Sequence, residues 1–250
     1  MREWLFGRNA VYESLQARRR HFFRLRVAEG AKERGRLKDI LEICRGRNIP
    51  IEHLPRKQLN VHAAGHQGVA LQASGYPYSD LVQILEHANG RADAPFLLIL
   101  DTLQDPQNLG SLLRSAEAFG VHGVLLPLRR TATITPAVVN SSAGASEHLL
   151  IAQTNLAQAI RVLKSEGVWV VGLERVPDAR PPHRLRLDGP LALVVGSEGE
   201  GMRPLTRKSC DVFLQLPMQG RVASLNAAVA GSIALYLARQ ERENPRPARS

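Results

Sequence analysis

LALVVGSEGEGM (191–202) and LPMQGRVASLNAAVAG (216–231) are the stretches whose reading decides the fold. Leu191 to Val195 is an apolar, β-branched run that stops at Gly196-Ser197-Glu198-Gly199-Glu200-Gly201. That pattern is a buried strand entering a loop whose three glycines let backbone come close to a neighbour. The second stretch repeats it. A short strand over 212–216 breaks at Pro217, crosses 218–223 and enters an Ala-rich helix, with Ser224 expected at the N-cap. Loops that leave adjacent strand C-termini of an α/β sheet converge on one crevice, where ligands sit. A dinucleotide site is excluded. Gly196-x-x-Gly199-x-Gly201 has the wrong order for G-x-G-x-x-G, and no acidic residue stands at ribose-binding spacing.

Outward from this pair, strands and helices alternate. Strands are expected over 96–100, 123–126, 168–173, 191–195 and 212–216, and helices over 108–119, 136–144, 155–166, 202–210 and 224–240. The run 96–100 is apolar throughout, as a parallel strand covered on both faces should be. Alternation on this scale predicts an α/β parallel-sheet domain over 95–243. In front of it stands a smaller α/β domain over 1–75. Its parts are a loop and amphipathic helix over 5–17 with Val11, Leu15 and Tyr12 inward, strands over 22–27, 49–54 and 66–73, and a basic helix over 31–47. Residues 76–94 read as a linker opening at Gly75-Tyr76-Pro77 and carrying a helix over 80–88; 244–250 reads as a disordered tail.

Charge separates the two parts. Residues 1–75 hold 15 Lys and Arg against 7 Asp and Glu, whereas 76–250 hold 18 against 16. An Arg-rich module of that imbalance points to nucleic acid, because the guanidinium fork grips phosphate bidentately. With 44% apolar and 22% charged residues the chain is globular. No run approaches the length of a membrane span. Cys44 and Cys210 lack CxxC spacing and the eight histidines lack HxxxH spacing, so neither a disulfide framework nor a metal site is indicated. These features place the chain in the cytoplasm.

Three blocks then line up: 101–120 (DTLQDPQNLGSLLRSAEAFG), Gly196–Met202 and Leu216–Asn226. In order and spacing they resemble the three signature motifs of the SpoU (TrmH) family, S-adenosylmethionine-dependent RNA ribose 2′-O-methyltransferases. Asn140-Ser-Ser-Ala-Gly144-Ala-Ser-Glu147 is similar to that family's intermediate loop. The opening Phe6-Gly7-Arg8-Asn9-Ala10-Val11 is similar to an L30e-like substrate-binding domain, which narrows the likeness to the RlmB-type branch acting on a guanosine of 23S ribosomal RNA. Ala227-Ala228 and Ala10 depart from the commoner residues without removing a functional group.

The resemblance implies a SPOUT-type fold with a trefoil knot, a homodimer whose site is completed across the interface, S-adenosylmethionine as cofactor, and ribosomal RNA as partner. It implies that backbone groups of Gly196, Leu216 and Leu225 hold the cofactor, with Met218 lining the pocket. Arg114 is the residue expected to carry chemistry, within an otherwise apolar helical stripe of Leu109, Leu112, Leu113 and Ala116. A guanidinium does not normally surrender its proton, so holding a phosphate and stabilising the developing alkoxide suits it better than base catalysis. Glu198 is expected to orient Arg114 or cap the glycine loop. Asn108 fixes Arg114 or the ribose, or caps its helix. Ser224 and Asn226 serve as caps, as ligands, or both. Two rival readings remain: a tRNA ribose methyltransferase of the same family, and a silent RNA-binding assembly protein.

Overall fold

A computed structural model describes residues 2–59, 65–222 and 224–245. The chain divides into two units, Met1–Pro77 with Thr133–His148, and Tyr78–Ala132 with Leu149–Ser250.

In the first unit β1 (Arg2–Phe6), α1 (Arg8–Ala17), β2 (Phe22–Ala28), α2 (Arg36–Gly46), β3 (Ile51–Leu54), α3 (Arg56–Leu59) and β4 (Val69–Ser74) follow in turn. The sheet order is β1-β4-β2-β3, antiparallel except for β2 with β3. Period-two burial puts Leu25 and Val27 of β2 inward, where Val11 and Leu15 of α1 and Leu37, Ile40 and Leu41 of α2 are also buried. Tyr12 is only half-buried and lies under the Arg36 guanidinium, 3.9 Å from the ring centre. Helix α2 starts five residues later than periodicity suggested, because Gly35 at φ 55° breaks the helical path before it. Strand β1 was missed by the sequence reading, which took 5–17 as loop and helix; pairing with β4 is what makes Arg2–Phe6 extended.

The run Arg18-Arg19-Arg20 splits in role. Arg20 is 5% exposed and its Nε and Nη2 donate to both carboxylate oxygens of Glu147, at 2.8 and 2.9 Å. Its Nη1 donates to Glu3 and to the Ser74 carbonyl. Tyr76 donates its hydroxyl proton to the Ser146 carbonyl at 3.0 Å. These bonds stitch the distant segment 145–147 into the first unit. Breaking a buried pair leaves a charge short of its partner. Glu147→Gln should therefore cost about 2 kcal/mol in urea unfolding, since it removes a charged hydrogen-bond acceptor from a guanidinium that keeps Glu3. An exposed control, Glu42→Gln, should cost almost nothing.

The second unit is built from α4 (Leu81–Asn89), β5 (Phe96–Leu100), α5 (Pro106–Ala118), β6 (Gly123–Pro127), then β7 (Ile151–Thr154), after α6 (Pro136–Ser141) of the first unit. It continues with α7 (Leu156–Ser165), β8 (Trp169–Leu173), β9 (Leu191–Val195), α8 (Pro204–Ser209), β10 (Val212–Leu214) and α9 (Ala227–Glu243). Six strands pair in the order β10-β8-β9-β5-β6-β7, all parallel. Strands β5, β6 and β9 are buried at every residue, as strands with both faces covered must be. One face packs Ile84 of α4 and Leu156, Ile160 and Leu163 of α7 over Leu97, Ile99 and Val194. On the other, α5 and α9 lie together, with Gly231 so close to Leu112 that a Cβ there would meet it at 2.8 Å. This is the expected fold class, a parallel-sheet α/β part with a smaller α/β part before it.

Four local expectations are corrected. Strand β7 was missed, since four residues of IAQT carry no period of their own and are set by pairing with β6. Strand β10 ends at Leu214, two residues early, where its pairing with β8 ends. Helix α8 begins at Pro204 rather than 202, because Arg203, the residue before that proline, is held extended at φ −60° and ψ 148°. The cap of α9 is Asn226, not Ser224: Asn226 Oδ1 accepts from the Ala228 and Val229 N–H groups. The tail expectation over 244–250 falls mostly outside the described residues. Among those residues, no helix is long and apolar enough to cross a membrane.

Buried His122 gives the unit a pH sensitivity. Its Nδ1 accepts from the Phe96 N–H at 3.1 Å, so the ring is neutral, with Nε2 3.3 Å from Asp93. Desolvation pushes its pKa below 6.5, with Asp93 opposing and Arg91 adding to the fall. The unfolded chain thus binds a proton that the folded chain refuses, and stability drops as pH falls below about 6.5. Unfolding free energies at pH 7 and pH 5 should differ less in His122→Gln than in the parent.

Candidate active site

The C-terminal ends of β8, β9 and β10 open into a cleft of about 530 Å³. Four chain segments wall it: 173–175 at the end of β8, the glycine loop 196–201, residues 214–218 at the end of β10 and beyond, and 224–227 at the start of α9. Gly196, Leu216, Met218 and Leu225, the residues expected to hold a cofactor, all line this one cleft, and so do Glu198, Ser224 and Asn226. Leu216, Met218 and Leu225 are half-buried, which sets them apart from ordinary core leucines and suits walls awaiting a ligand.

Local geometry explains why the loop needs its glycines. Ser197 and Gly201 exchange backbone hydrogen bonds, each at 3.1 Å, folding the loop back on itself. A Cβ on Gly196 would fall 2.4 Å from the Gly201 carbonyl carbon, and Gly201 itself sits at φ 68°. Only a residue without a side chain fits at 196.

At the rim of the cleft, Glu198 of the second motif gathers donors from the first motif and from the end of the third. Its Oε1 accepts from Asn108 Nδ2 at 3.1 Å, from Asn226 Nδ2, and from the Ala227 N–H at 3.2 Å. Asn226 Nδ2 also donates to Asn108 Oδ1 at 3.0 Å. Glu198 thus caps α9, not the glycine loop, and its charge sits where the dipole of a 17-residue helix favours it. Asn108 is not the cap of α5. Asp105 accepts from Gln107 and Asn108 N–H groups with Pro106 in the first turn, leaving the Asn108 amide for Glu198 and Asn226.

Arg114 stands elsewhere. The stripe Leu109, Leu112, Leu113 and Ala116 is buried, but Arg114 lies on the exposed face of α5 and does not line the cleft of its own chain. Neither Glu198 nor Asn108 holds it, contrary to expectation; the 3.6-residue period turns position 114 about 100° away from 113. Sequence reading also missed the pair Asp101–Arg203. Asp101 is fully buried after β5 and accepts from Arg203 Nε at 2.6 Å and Arg203 N at 2.9 Å. An acid directly behind an apolar strand was the available signal. Burial pushes the thiols of Cys44 and Cys210 up to about 11 and about 12, so neither is a nucleophile near neutral pH.

The SpoU rRNA Methylase family model matches residues 95–236, and the model for RNA 2′-O ribose methyltransferase substrate binding matches residues 4–79. The chain is 41% identical over 247 residues, 97% of each chain, to a TrmH family tRNA/rRNA methyltransferase of Bacillus subtilis. The chain belongs to the SpoU rRNA methylase family. Among solved structures it is similar to the SpoU methyltransferase AviRb of Streptomyces viridochromogenes, crystallised with its cofactor AdoMet. That likeness has a TM-score of 0.80 at 21% identity and covers 97% of this chain and 91% of the other. An AdoMet-bound rRNA methyltransferase of Sinorhizobium meliloti gives 0.79 at 23% identity, covering 96% and 87%. At such identities the likeness shows the fold, that of the SPOUT methyltransferases. In this SpoU chain the second and third motifs wall a single cleft, and Asn108 of the first meets Glu198 and Asn226 at its rim.

Proposed function

We propose that this SpoU chain is an S-adenosylmethionine-dependent methyltransferase acting on the ribose 2′-hydroxyl of a guanosine in 23S ribosomal RNA, in the cytoplasm. The observation that carries the reading is the meeting of Gly196, Leu216, Met218 and Leu225 around one cleft whose rim is the Asn108–Glu198–Asn226 cluster. The volume suits a nucleoside joined to an amino acid, since sites for such ligands span about 300–1,000 Å³. Its lining carries the carboxylates of Glu174, Glu198 and Glu200 against the single guanidinium of Arg175, an excess that favours a ligand carrying positive charge.

Backbone groups at Gly196, Leu216 and Leu225 hold the cofactor and Met218 covers it. When bound, S-adenosylmethionine supplies an activated methyl group. The chain's part is to position the ribose and stabilise charge. Arg114 grips a phosphate and stabilises the developing alkoxide. Glu198, Asn108 and Asn226 keep the three loops in register. A homodimer accounts for the distance of Arg114 from its own cleft: on α9, Val229, Ile233 and Tyr236 form an exposed apolar stripe at 48%, 38% and 50% exposure, beside α5. Such a stripe on a helix is an interface feature. The 1–75 module, with its excess of arginine and its substrate-binding match, delivers the RNA.

The Bacillus subtilis relative is named for both tRNA and rRNA, so tRNA is the second substrate to weigh. Mapping 2′-O-methyl groups on both RNAs from cells lacking the gene decides between them. Loss of one methyl from 23S ribosomal RNA is expected; loss from tRNA alone would reverse the assignment. Calorimetry with S-adenosylmethionine tests the activity itself, and absence of binding would favour a silent RNA-binding protein.

A further inference from the structure

Two further cavities continue from the cleft along the same edge of the sheet. The first, about 350 Å³, shares Ser197, Glu198 and Glu200 with the cleft and is bordered by Asn108, Arg130 and Arg203. The second, about 710 Å³, shares Arg130 and Arg203 with the first and is walled mainly by apolar groups, including Leu128, Leu156 and Leu205. The three form one path. Two arginines mark the step between the second and third stations.

Those arginines are arranged for an anion. Arg203 is anchored by its Nε and backbone N–H to buried Asp101, which leaves its two terminal nitrogens without a hydrogen-bond partner among the described residues. An anchored guanidinium loses little freedom on gripping a phosphate. Arg130 is exposed, has no ion-pair partner among the described residues, and holds the left-handed conformation at φ 59°. Beyond them Leu128 and Leu205 are 64% and 71% exposed, an unusual pair of large apolar side chains next to three arginines. A base needs an apolar surface and its backbone needs cations. Both occur here side by side.

We propose that Arg130 and Arg203 clamp the phosphate of a nucleotide flanking the target ribose in single-stranded RNA, and that Leu128 and Leu205 seat its base. The assignment rests on the methyltransferase reading above and adds a subsite to it. The occupant is RNA, not an acidic protein segment, because these cavities share walls with the cleft and set apolar side chains beside the arginines.

The test uses the full chain and a short fluorescein-labelled single-stranded RNA of mixed sequence, followed by anisotropy across a salt series. Variants are Arg130→Ala, Leu205→Ser and Arg203→Lys, the last keeping a cation near Asp101. Each phosphate contact to a single strand contributes about 0.7 to the slope of log affinity against log salt. Arg130→Ala should lower that slope by about 0.7 and weaken binding about tenfold. Leu205→Ser should weaken binding severalfold with the slope unchanged. S-adenosylmethionine affinity, read by calorimetry, should stay at the parent value in all three. Parent-like RNA affinity and slope in Arg130→Ala and Arg203→Lys together overturn the clamp while leaving the methyltransferase reading intact. If the parent binds neither S-adenosylmethionine nor RNA, the underlying reading fails and the clamp falls with it.

Discussion

Gly196→Ala should weaken S-adenosylmethionine binding about 100-fold without unfolding the chain's first unit. The added methyl would stand 2.4 Å from the Gly201 carbonyl carbon and 2.6 Å from the Met202 nitrogen, both backbone atoms that no rotamer change can move. Relief requires the loop to open, which breaks the reciprocal Ser197–Gly201 bonds and displaces Glu198 from the start of α9. Overpacking of this kind costs about 1–3 kcal/mol, and placed in the wall of the cleft it becomes a loss of affinity of about 100-fold. Gly220→Ala is the matched control, because a Cβ there meets nothing within 4 Å. Calorimetry on the two variants checks the claim. Equal affinities would mean that the glycine loop is not a cofactor wall.

Arg114→Ala should lower the rate of methyl transfer about 10²–10³-fold, the usual effect of removing one charge-stabilising donor. Cofactor affinity and thermal stability should stay unchanged, since the side chain is exposed and does not line its own cleft. Arg114→Lys should recover little, because an ammonium lacks the planar fork. Lysine with full activity would exclude both bidentate holding and base catalysis. The pH–rate profile of the variants should keep the parent's shape if Arg114 stabilises charge, and lose its acidic limb if it removes a proton.

Mixed dimers test whether Arg114 serves the opposite cleft. Co-expressed Arg114→Ala and Gly196→Ala chains bring an intact cleft in one protomer to an intact Arg114 in its partner. Activity restored in that mixture, absent from either variant alone, supports sharing across the interface. No restoration would assign Arg114 to its own chain.

Much of this protein was legible along the chain because its signals are local. Continuous apolar runs marked the central strands, and β9 has the bounds expected of it, Leu191–Val195. The three motif blocks picked out the residues that line the cleft and its rim. Ser224 lost the cap to Asn226 because choosing between two good capping residues depends on where the helix axis meets the sheet. Position 114 looked apolar by its neighbours, yet a single step of 100° carried it to solvent.

Composition, period and glycine order were enough, unaided by coordinates, to expect an α/β chain with a basic front part and a crevice at 196–226. What packing alone decided is which distant groups meet. Residues 145–147 join the first unit because the buried Arg20 requires the Glu147 carboxylate, and Asn108, Glu198 and Asn226 join because parallel strands bring their loops to one edge. A linear pattern records which face a residue favours. It carries no record of its partner across 90 or more residues, since that partner is set by where the sheet brings the two loops together.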